Sequence, residues 1–274
     1  MKINIKPTVD CVFKALLGSK KHKKILINFL NAFLGLKKGK LIKNVVIMNP
    51  YNEREFSTDK LSIVDLKATD EKGRFYQIDV QISIPAGLAE RMIFNWSQIY
   101  STQLARGNDY PSLKPTTSIW ILENPLFVPK KESDNEKYLH LNFKLFDKKV
   151  KLNLTDHLNI NVIQLPYFKT EADIKDDKDR WLYFFKEGHN LDPDNLPEAL
   201  QTEEMFTAMK TLKHFSDDQK AYLLYQERLN AVRLELTWQN EIKRARVDLQ
   251  EAQAKLKEKE AQIQHLKSLL NQPV

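Results

Sequence analysis

The chain has 274 residues, a formal net charge of +7 and a hydrophobic content of 42%. A chain of this length and composition can bury a substantial core and is expected to be globular. No signal peptide and no run of about 20 apolar residues is visible, so no membrane span is expected. The single cysteine, Cys11, excludes an internal disulfide and suits a reducing compartment, so we expect a cytoplasmic protein.

The positive charge is concentrated near the amino terminus. Residues 1–43 contain eleven lysines and one acid, Asp10, whereas the rest of the chain is close to neutral. Such a segment is either an ordinary solvated face or a surface that attracts the phosphate backbone of DNA without reading its sequence. For DNA contact the candidates are Lys14, Lys20, Lys21, Lys23 and Lys24.

Two short helices are predicted first. Thr8 is placed to cap a helix that Gly18 ends, and Ser19 is placed to cap a second helix that Gly35 stops. Both helices carry apolar residues at helical spacing. A strand is predicted at residues 45–48.

A polar loop at residues 49–59 then leads into the most informative segment, residues 61–82. This segment predicts two strands joined by a tight turn at residues 70–73, where Gly73 can adopt the positive φ that the turn needs. Side chains alternate between the two faces of each strand, and residues opposite each other share a face.

With a three-residue loop, the polar face of this hairpin holds two carboxylates. Asp65 then lies opposite Asp79, and Lys67 lies opposite Gln77, with Gln81 further along the same face. The other face is apolar and belongs to the core; it carries Val64, Leu66, Ala68, Tyr76, Ile78 and Val80.

The two aspartates admit two interpretations. One is an ordinary hairpin whose polar face is solvated. However, like charges on paired strands repel, and aspartate is a poor strand former. A divalent cation with oxygen ligands would offset the repulsion between Asp65 and Asp79. The sequence therefore indicates a metal site on the hairpin.

Further elements complete an α/β pattern. A long helix is predicted at residues 88–106, and a buried strand at 116–122. Residues 123–165 are rich in predicted strands, with alternation at 138–143, and residues 180–225 predict helices. The histidines form no pair with the spacing of metal ligands, so zinc is not expected. The sequence also contains no glycine-rich phosphate loop.

The carboxyl-terminal segment has a different character. Beyond about Leu229, glycine and proline are absent until Pro273. Apolar residues there alternate spacings of three and four, which predicts a coiled coil and a homodimer; the alternative is a single helix lying on the preceding domain. The seam consists of Ile242, Ala245, Leu249, Ala252, Leu256, Lys259, Ile263, Leu266 and Leu270. The predicted domains are residues 1–225 and 226–274.

The hairpin and the blocks around it resemble a known family. An aspartate, a turn and then Asp-Val-Gln form a degenerate version, (D/E)xQ, of the PD-(D/E)xK nuclease hairpin. Over residues 5–225, the blocks occur in an order that resembles the recombination-promoting nuclease (Rpn) family, transposases of the PD-(D/E)xK superfamily. The matching blocks are PTVDCVFK at 7–14, NFLNAFL at 28–34, the hairpin, WSQIYSTQLARG at 96–107, YPSLKPTTSI at 110–119 and LTDHL at 154–158.

The resemblance implies a restriction-endonuclease-like α/β core, a mixed sheet flanked by helices, with the coiled coil as an extension. It also implies Mg²⁺ or another divalent cation held by Asp65 and Asp79. Asp10 is a third candidate carboxylate, or else simply a favourable charge in the first turn of its helix. Gln81 replaces the motif lysine and Val64 the motif proline.

Other residues complete the candidate site. Lys67, on the same face as Asp65, is a substitute for the missing lysine, and Lys14 is a second one. Arg91 is a candidate for phosphate contact. Tyr100 and Gln103 resemble the polar residues of RecB-like nucleases.

Two functions therefore stay open. One is a metal-dependent DNA endonuclease acting in recombination, transposon-like mobility or defence against foreign DNA. The other is a catalytically impaired DNA-binding or assembly protein that retains the nuclease fold.

Overall fold

The computed structural model describes residues 2–48, 64–104 and 109–270. The chain forms two compact units, the first ending at Leu229 and the second beginning at Asn230. The predicted loop at 49–59 lies outside the described residues, as do the first three residues of the predicted hairpin. The helix predicted at 88–106 is too long, because it ends at Ser101 and residues 102–104 are not helical. No described helix combines the length and apolar character needed to cross a membrane.

Among the described residues, six strands form one mixed sheet. The strands are β1 (Val45–Met48), β2 (Leu66–Asp70), β3 (Phe75–Gln81), β4 (Thr116–Leu122), β5 (His140–Phe143) and β8 (Leu158–Gln164), and their order is β1-β2-β3-β4-β8-β5. β3, β4 and β8 are parallel, whereas β1, β2 and β5 join the sheet antiparallel. Two short strands, β6 (Phe146–Asp147) and β7 (Leu152–Asn153), pair separately.

Helices cover both faces of this sheet. The α-helices of the described residues are α1 (Asp10–Leu17), α2 (Lys23–Phe33), α3 (Leu88–Ser101), α4 (Asn135–Leu139), α5 (Asp177–Glu187), α6 (Glu203–Asp217) and α7 (Gln219–Leu270), the last of which continues into the second unit. The larger core joins one face of the sheet to α1, α2, α5 and α6. A smaller core, which includes Met92 and Trp120, joins the other face to α3. The predicted α/β class is confirmed.

The strand predictions at 45–48 and 116–122 are confirmed as β1 and β4, and every residue of β4 is buried. The predicted strand at 138–143 is only half right, because α4 extends through Leu139 and β5 begins at His140. The Gln164 side chain donates to the carbonyl of Tyr138 and so stabilises this turn of chain. The sequence pattern does not reveal that long-range contact.

Both predicted helix caps are wrong. α1 begins at Asp10 after Val9, and the hydroxyl of Thr8 donates instead to the carboxylate of Glu123. Ser19 precedes a short 3₁₀ turn without a side-chain bond, and α2 begins only at Lys23. A long-range partner for Thr8 replaces the local one that its position suggested.

The β2–β3 hairpin has the predicted geometry. Lys67 pairs with Gln77, and the N–H of Asp70 donates to the carbonyl of Arg74, so three residues form the loop between Asp70 and Arg74. Gly73 in this loop adopts a φ of 73°. At the turn, the carboxylate of Asp70 accepts hydrogen bonds from the backbone of Lys72 and Arg74, from the Arg74 side chain and from the Tyr76 hydroxyl. Although burial by itself raises the pKa of Asp70, these donors lower it below its ordinary value.

We expect Tyr76→Phe to reduce the free energy of unfolding by about 1–3 kcal/mol, because it removes a donor from a buried carboxylate oxygen. Since the depressed pKa of Asp70 stabilises the fold above about pH 4, where an unfolded aspartate is ionised, the difference between variant and wild type should shrink as the pH falls further. Urea unfolding at pH 7 and pH 3 measures both effects. Tyr110→Phe, at an exposed tyrosine, is the matched control and should leave stability unchanged.

Candidate active site

The hairpin register places Asp65 and Asp79 in direct contact. Asp65 lies immediately before β2, and its backbone N–H donates to Oδ1 of Asp79 at 3.2 Å. In return, the N–H of Val80 donates to Oδ2 of Asp65 at 3.0 Å. These reciprocal bonds fix the two carboxylates side by side at the end of the paired strands.

The polar face of the hairpin is buried, so the solvated-face interpretation is wrong for its inner residues. Asp79 is 3% exposed and Gln77 is fully buried, whereas 16% of the Asp65 side chain reaches solvent. Burial, and then the nearby charge of Asp65, raise the pKa of Asp79. Burial also raises the pKa of Asp65, against the lowering effect of Lys14.

Helix α1 adds a cation and a third carboxylate. The ammonium of Lys14 lies 3.2 Å from Oδ1 of Asp65 and 3.6 Å from Oδ2 of Asp10, so it bridges the two acids. Arg228 Nε is 4.0 Å from the same Asp10 oxygen. Asp10 therefore joins the cluster through Lys14, while it also occupies the first turn of α1, where a negative charge favours the helix.

Glu123 is a neighbour that the sequence reasoning missed. It follows β4 directly, and its backbone N–H donates to the carbonyl of Gln81 at 2.9 Å. Its carboxylate accepts from the Thr8 hydroxyl and from the Lys6 ammonium, the latter at 3.1 Å. Because β3 and β4 are parallel, their last residues lie at the same end of the sheet. Recognising this strand pairing would have identified Glu123 from the sequence.

The remaining hairpin candidates lie on either side of the aspartates. Gln81 ends β3 at the edge that also carries Glu123 and is partly exposed. Lys67 is buried within the sheet opposite Gln77. Of the two lysines considered as substitutes for the motif lysine, Lys14 is the one whose ammonium the structure places on Asp65.

Three further candidates, on α3 and just after it, have partners within the protein. The Arg91 guanidinium packs 5.4 Å from the centre of the Trp120 ring, and its positive charge lowers the pKa of Asp79. The Tyr100 hydroxyl bonds to His157, and the Gln103 amide donates to Thr116 Oγ1. Thr116 begins β4, so Tyr100 and Gln103 serve the opposite end of the sheet, because their long side chains find partners at the start of that strand.

The basic cluster lies beyond the far end of α1. Asp10 begins this helix of eight residues, which is about 12 Å long, and the lysines follow its carboxyl end. The Lys24 ammonium is 3.7 Å from Glu203, with both side chains largely exposed. The lysines and two acids of α6 line one groove of about 250 Å³, which includes Lys20, Lys21, Lys23, Lys24, Glu203 and Glu204.

The carboxylate pair suits a hard cation only if other ligands complete the shell. Within residues 2–48, 64–104 and 109–270, no three His, Cys, Asp or Glu side chains cluster closely enough to hold a metal ion. Mg²⁺, however, is commonly held by one or two carboxylates, waters and substrate phosphates. Asp65 and Asp79 fit that arrangement and do not fit a closed protein cage.

A mixed sheet between helix layers, with two apposed carboxylates at the end of its hairpin, defines a nuclease-like α/β protein. The family model for the PD-(D/E)XK nuclease family transposase matches residues 7–245, and the chain belongs to this family. Comparisons with curated proteins and with solved structures gave no match. The resemblance inferred from the sequence is thereby confirmed, and with it a nuclease-type family of which divalent cations are typical.

We expect Asp79→Asn to stabilise the protein in EDTA at pH 8 by about 1–3 kcal/mol, since one pKa unit corresponds to roughly 1.4 kcal/mol. The raised pKa means that the folded wild type retains a proton that the unfolded chain releases, so wild-type stability falls as the pH rises from 4 towards that pKa. An asparagine removes this loss. Gln77 Nε2 donates to Oδ2 of Asp79 in the wild type, so when the Gln77 amide turns over, the new amide nitrogen can donate to Oε1 of Gln77, which is buried without a partner among the described residues.

Urea unfolding of wild type and variant at pH 5 and pH 8 tests this expectation. The exposed Asp156→Asn is the matched control and should follow the wild type at both pH values. An Asp79→Asn protein that is destabilised equally at both pH values would show that charge repulsion does not govern the stability of this carboxylate pair.

Proposed function

We propose that this protein is a DNA endonuclease that hydrolyses phosphodiester bonds with Mg²⁺ or another divalent cation held by Asp65 and Asp79. The observation that carries the proposal is the direct apposition of these two carboxylates, with Asp79 buried on β3 and Asp65 partly open just before β2, in a chain of a nuclease family. Without a cation or a shared proton, that arrangement is electrostatically unfavourable. Recombination, transposon-like mobility and defence against foreign DNA are the settings that we propose for this activity.

A bound cation would polarise the phosphate and activate the attacking water. The residues of this chain would supply the surroundings. Lys14, half-exposed beside Asp65, provides positive charge next to the partly open side of the pair. Gln81 can hydrogen-bond a water but carries no charge, so Lys14 is our preferred replacement for the motif lysine, ahead of the buried Lys67. Asp10 keeps Lys14 in place.

A second candidate function rests on the same contacts. Gln81 and Val64 depart from the motif, and the ammonium of Lys14 already neutralises Asp65. A protein with these features can keep the fold and bind DNA without efficient cleavage. The two functions predict opposite results for the same cleavage assay.

For the endonuclease, Asp65→Asn and Asp79→Asn should each reduce Mg²⁺-dependent nicking of supercoiled plasmid by about 100-fold or more, because each removes a charged cation ligand. Asp156→Asn should nick at the wild-type rate. Circular dichroism and unfolding curves of the same preparations verify that the fold is intact. Nicking that persists unchanged in both site variants, or is absent from the wild type, favours the impaired DNA-binding protein.

DNA binding should be largely independent of sequence and strongly dependent on salt. Replacing Lys20, Lys21, Lys23 and Lys24 together by glutamine should reduce the slope of log K against log salt by about 0.9 for each DNA phosphate that the variant no longer neutralises. Glu203 and Glu204 border the same groove, so we expect the four lysines to neutralise fewer than four phosphates. Fluorescence anisotropy with duplex DNA at several salt concentrations measures the slope.

A fourfold variant of equal charge change serves as the control for this experiment. It replaces the exposed residues Lys130, Lys131, Lys148 and Lys149. If both fourfold variants change the slope equally, the lysines after α1 are an ordinary solvated face.

We also propose a homodimer through the second unit. There, α7 presents seam residues whose side chains are 52–58% exposed, namely Ile242, Leu249, Leu256 and Ile263. Two such seams can bury each other in a coiled coil, and Lys259 at a seam position favours a defined register. A dimer would hold two nicking sites together and so promote double-strand breaks.

Light scattering at micromolar concentration should therefore give a dimer for the wild type and a monomer for Leu249→Asp. The matched control is Val247→Asp, because Val247 is 47% exposed on the same helix but lies off the seam. This control should remain a dimer. A monomeric wild type would rule out the coiled-coil dimer.

A further inference from the structure

Gln77 is a fully buried glutamine in the middle of the sheet, two residues before Asp79 on β3. Side chains two residues apart on a strand share a face, so Gln77 and Asp79 project from the same face of the sheet. In the register, Gln77 lies between Lys67 of β2 and Ser118 of β4, and both of these residues are buried as well. Burying an amide costs free energy unless it is hydrogen-bonded. The hydrogen bonds of Gln77 therefore indicate its role.

The Gln77 amide binds the carboxylate of Asp79. Its Nε2 donates to Oδ2 of Asp79 at 2.6 Å, which is a short distance for an N–H···O bond. The other end of the amide, Oε1, is buried and has no partner among the described residues. An unpaired buried acceptor destabilises the fold. The fold thus tolerates this cost at the position where the other end of the same amide donates to Asp79.

Two donors fix the orientation of the Asp79 carboxylate. Oδ1 accepts from the N–H of Asp65, and Oδ2 accepts from Gln77. The side-chain torsion that turns an aspartate carboxylate has only a broad intrinsic preference. One hydrogen bond to each oxygen therefore sets the plane of this carboxylate. Each oxygen keeps a second lone pair that can face a cation.

Gln77 acts through Asp79 and is not itself placed to bind the same cation as both aspartates. Asp65 accepts from the N–H of Val80, the residue after Asp79, whereas Gln77 precedes Asp79 by two residues. Asp65 and Gln77 therefore approach Asp79 from opposite directions along β3. A cation held by both carboxylates has to contact Asp65, on the side away from Gln77. Gln77 is a positioning residue in this arrangement.

We propose that Gln77 positions Asp79 for cation binding, so that the affinity of the carboxylate pair for a divalent cation depends on this glutamine. This role rests on the proposed cation site at Asp65 and Asp79 and adds a residue to that site. Replacing a hydrogen-bonded partner of a metal ligand typically weakens metal affinity by about 10–100-fold. A glutamine amide suits the role because it is a neutral donor. It orients the carboxylate without cancelling the negative charge that attracts the cation, as a lysine would.

Titration of Mn²⁺ into the full-length protein, followed by the electron paramagnetic resonance signal of free Mn²⁺, tests the proposal without a cleavage assay. The wild type should bind Mn²⁺, and the binding that Asp79→Asn loses belongs to the carboxylate pair. Gln77→Met has a side chain of similar size but no donor, and it should weaken this binding by about tenfold or more. Urea unfolding of each preparation verifies that the protein is folded.

Gln164→Met gives the comparison with a glutamine that is purely structural. Gln164 is also fully buried, but its amide bonds only backbone groups in the described part of the chain. Its Oε1 accepts from the N–H groups of Leu126 and Phe127, and its Nε2 donates to the carbonyls of Phe127 and Tyr138. The substitution should lower the urea midpoint, because it leaves these buried groups unpaired, and should leave the Mn²⁺ affinity at the wild-type value.

Gln77→Asn provides a second variant that decides the matter if Gln77→Met does not fold. It keeps an amide but is one methylene shorter, so its nitrogen no longer reaches Oδ2 of Asp79, and Mn²⁺ binding should again weaken by about tenfold or more. The proposal alone is overturned if either folded variant binds Mn²⁺ as tightly as the wild type while Asp79→Asn has lost the binding. A wild type that binds Mn²⁺ no better than Asp79→Asn overturns the cation site itself, and the role of Gln77 with it.

Discussion

Two carboxylates held together in a low-dielectric part of the sheet are the constraint on which the candidate site depends. The carboxylate of Asp79 accepts from the N–H of Asp65, and the carboxylate of Asp65 accepts from the N–H of Val80, so neither can move away from the other without breaking one of these bonds. Their mutual repulsion must be offset by a proton, by a cation or by both. The ammonium of Lys14 already contributes, since it bridges Asp65 to Asp10.

The same hairpin contains a third aspartate, Asp70, which is buried like Asp79 but has its pKa shifted in the opposite direction. Asp70 accepts four hydrogen bonds around the turn, which lower its pKa, so its ionised carboxylate stabilises the fold. Asp79 accepts fewer bonds and faces another carboxylate, so its pKa is raised. Burial alone therefore does not decide the direction of a carboxylate's pKa shift; the donors and charges around it do.

The lysines of this protein differ in their partners and in their burial, although each carries the same charge. Lys14 is committed to the carboxylates, and Lys24 lies near Glu203, so the basic amino-terminal segment is not a uniform patch. Lys178, far along the chain, is partly buried, and burial lowers its pKa against the raising effect of Asp176 and Asp179. Counting lysines along the sequence identifies the first group and overlooks this one, because the cost of a charge depends on burial and partners.

Local patterns in the sequence determined the hairpin, its register and the contact between Asp65 and Asp79. The alternation of polar and apolar residues and the glycine in the turn act over a few residues, so they can be recognised from the sequence alone. Strands β1 and β4 were predicted correctly for the same reason. Only the tertiary structure decided that the polar face is buried, that Lys14 reaches Asp65, and that Glu123 lies beside Gln81. It also assigned Tyr100 and Gln103 to the other end of the sheet. Each of these features depends on how a helix packs or on how distant strands pair. The periodicity of side chains does not predict which distant element supplies the partner.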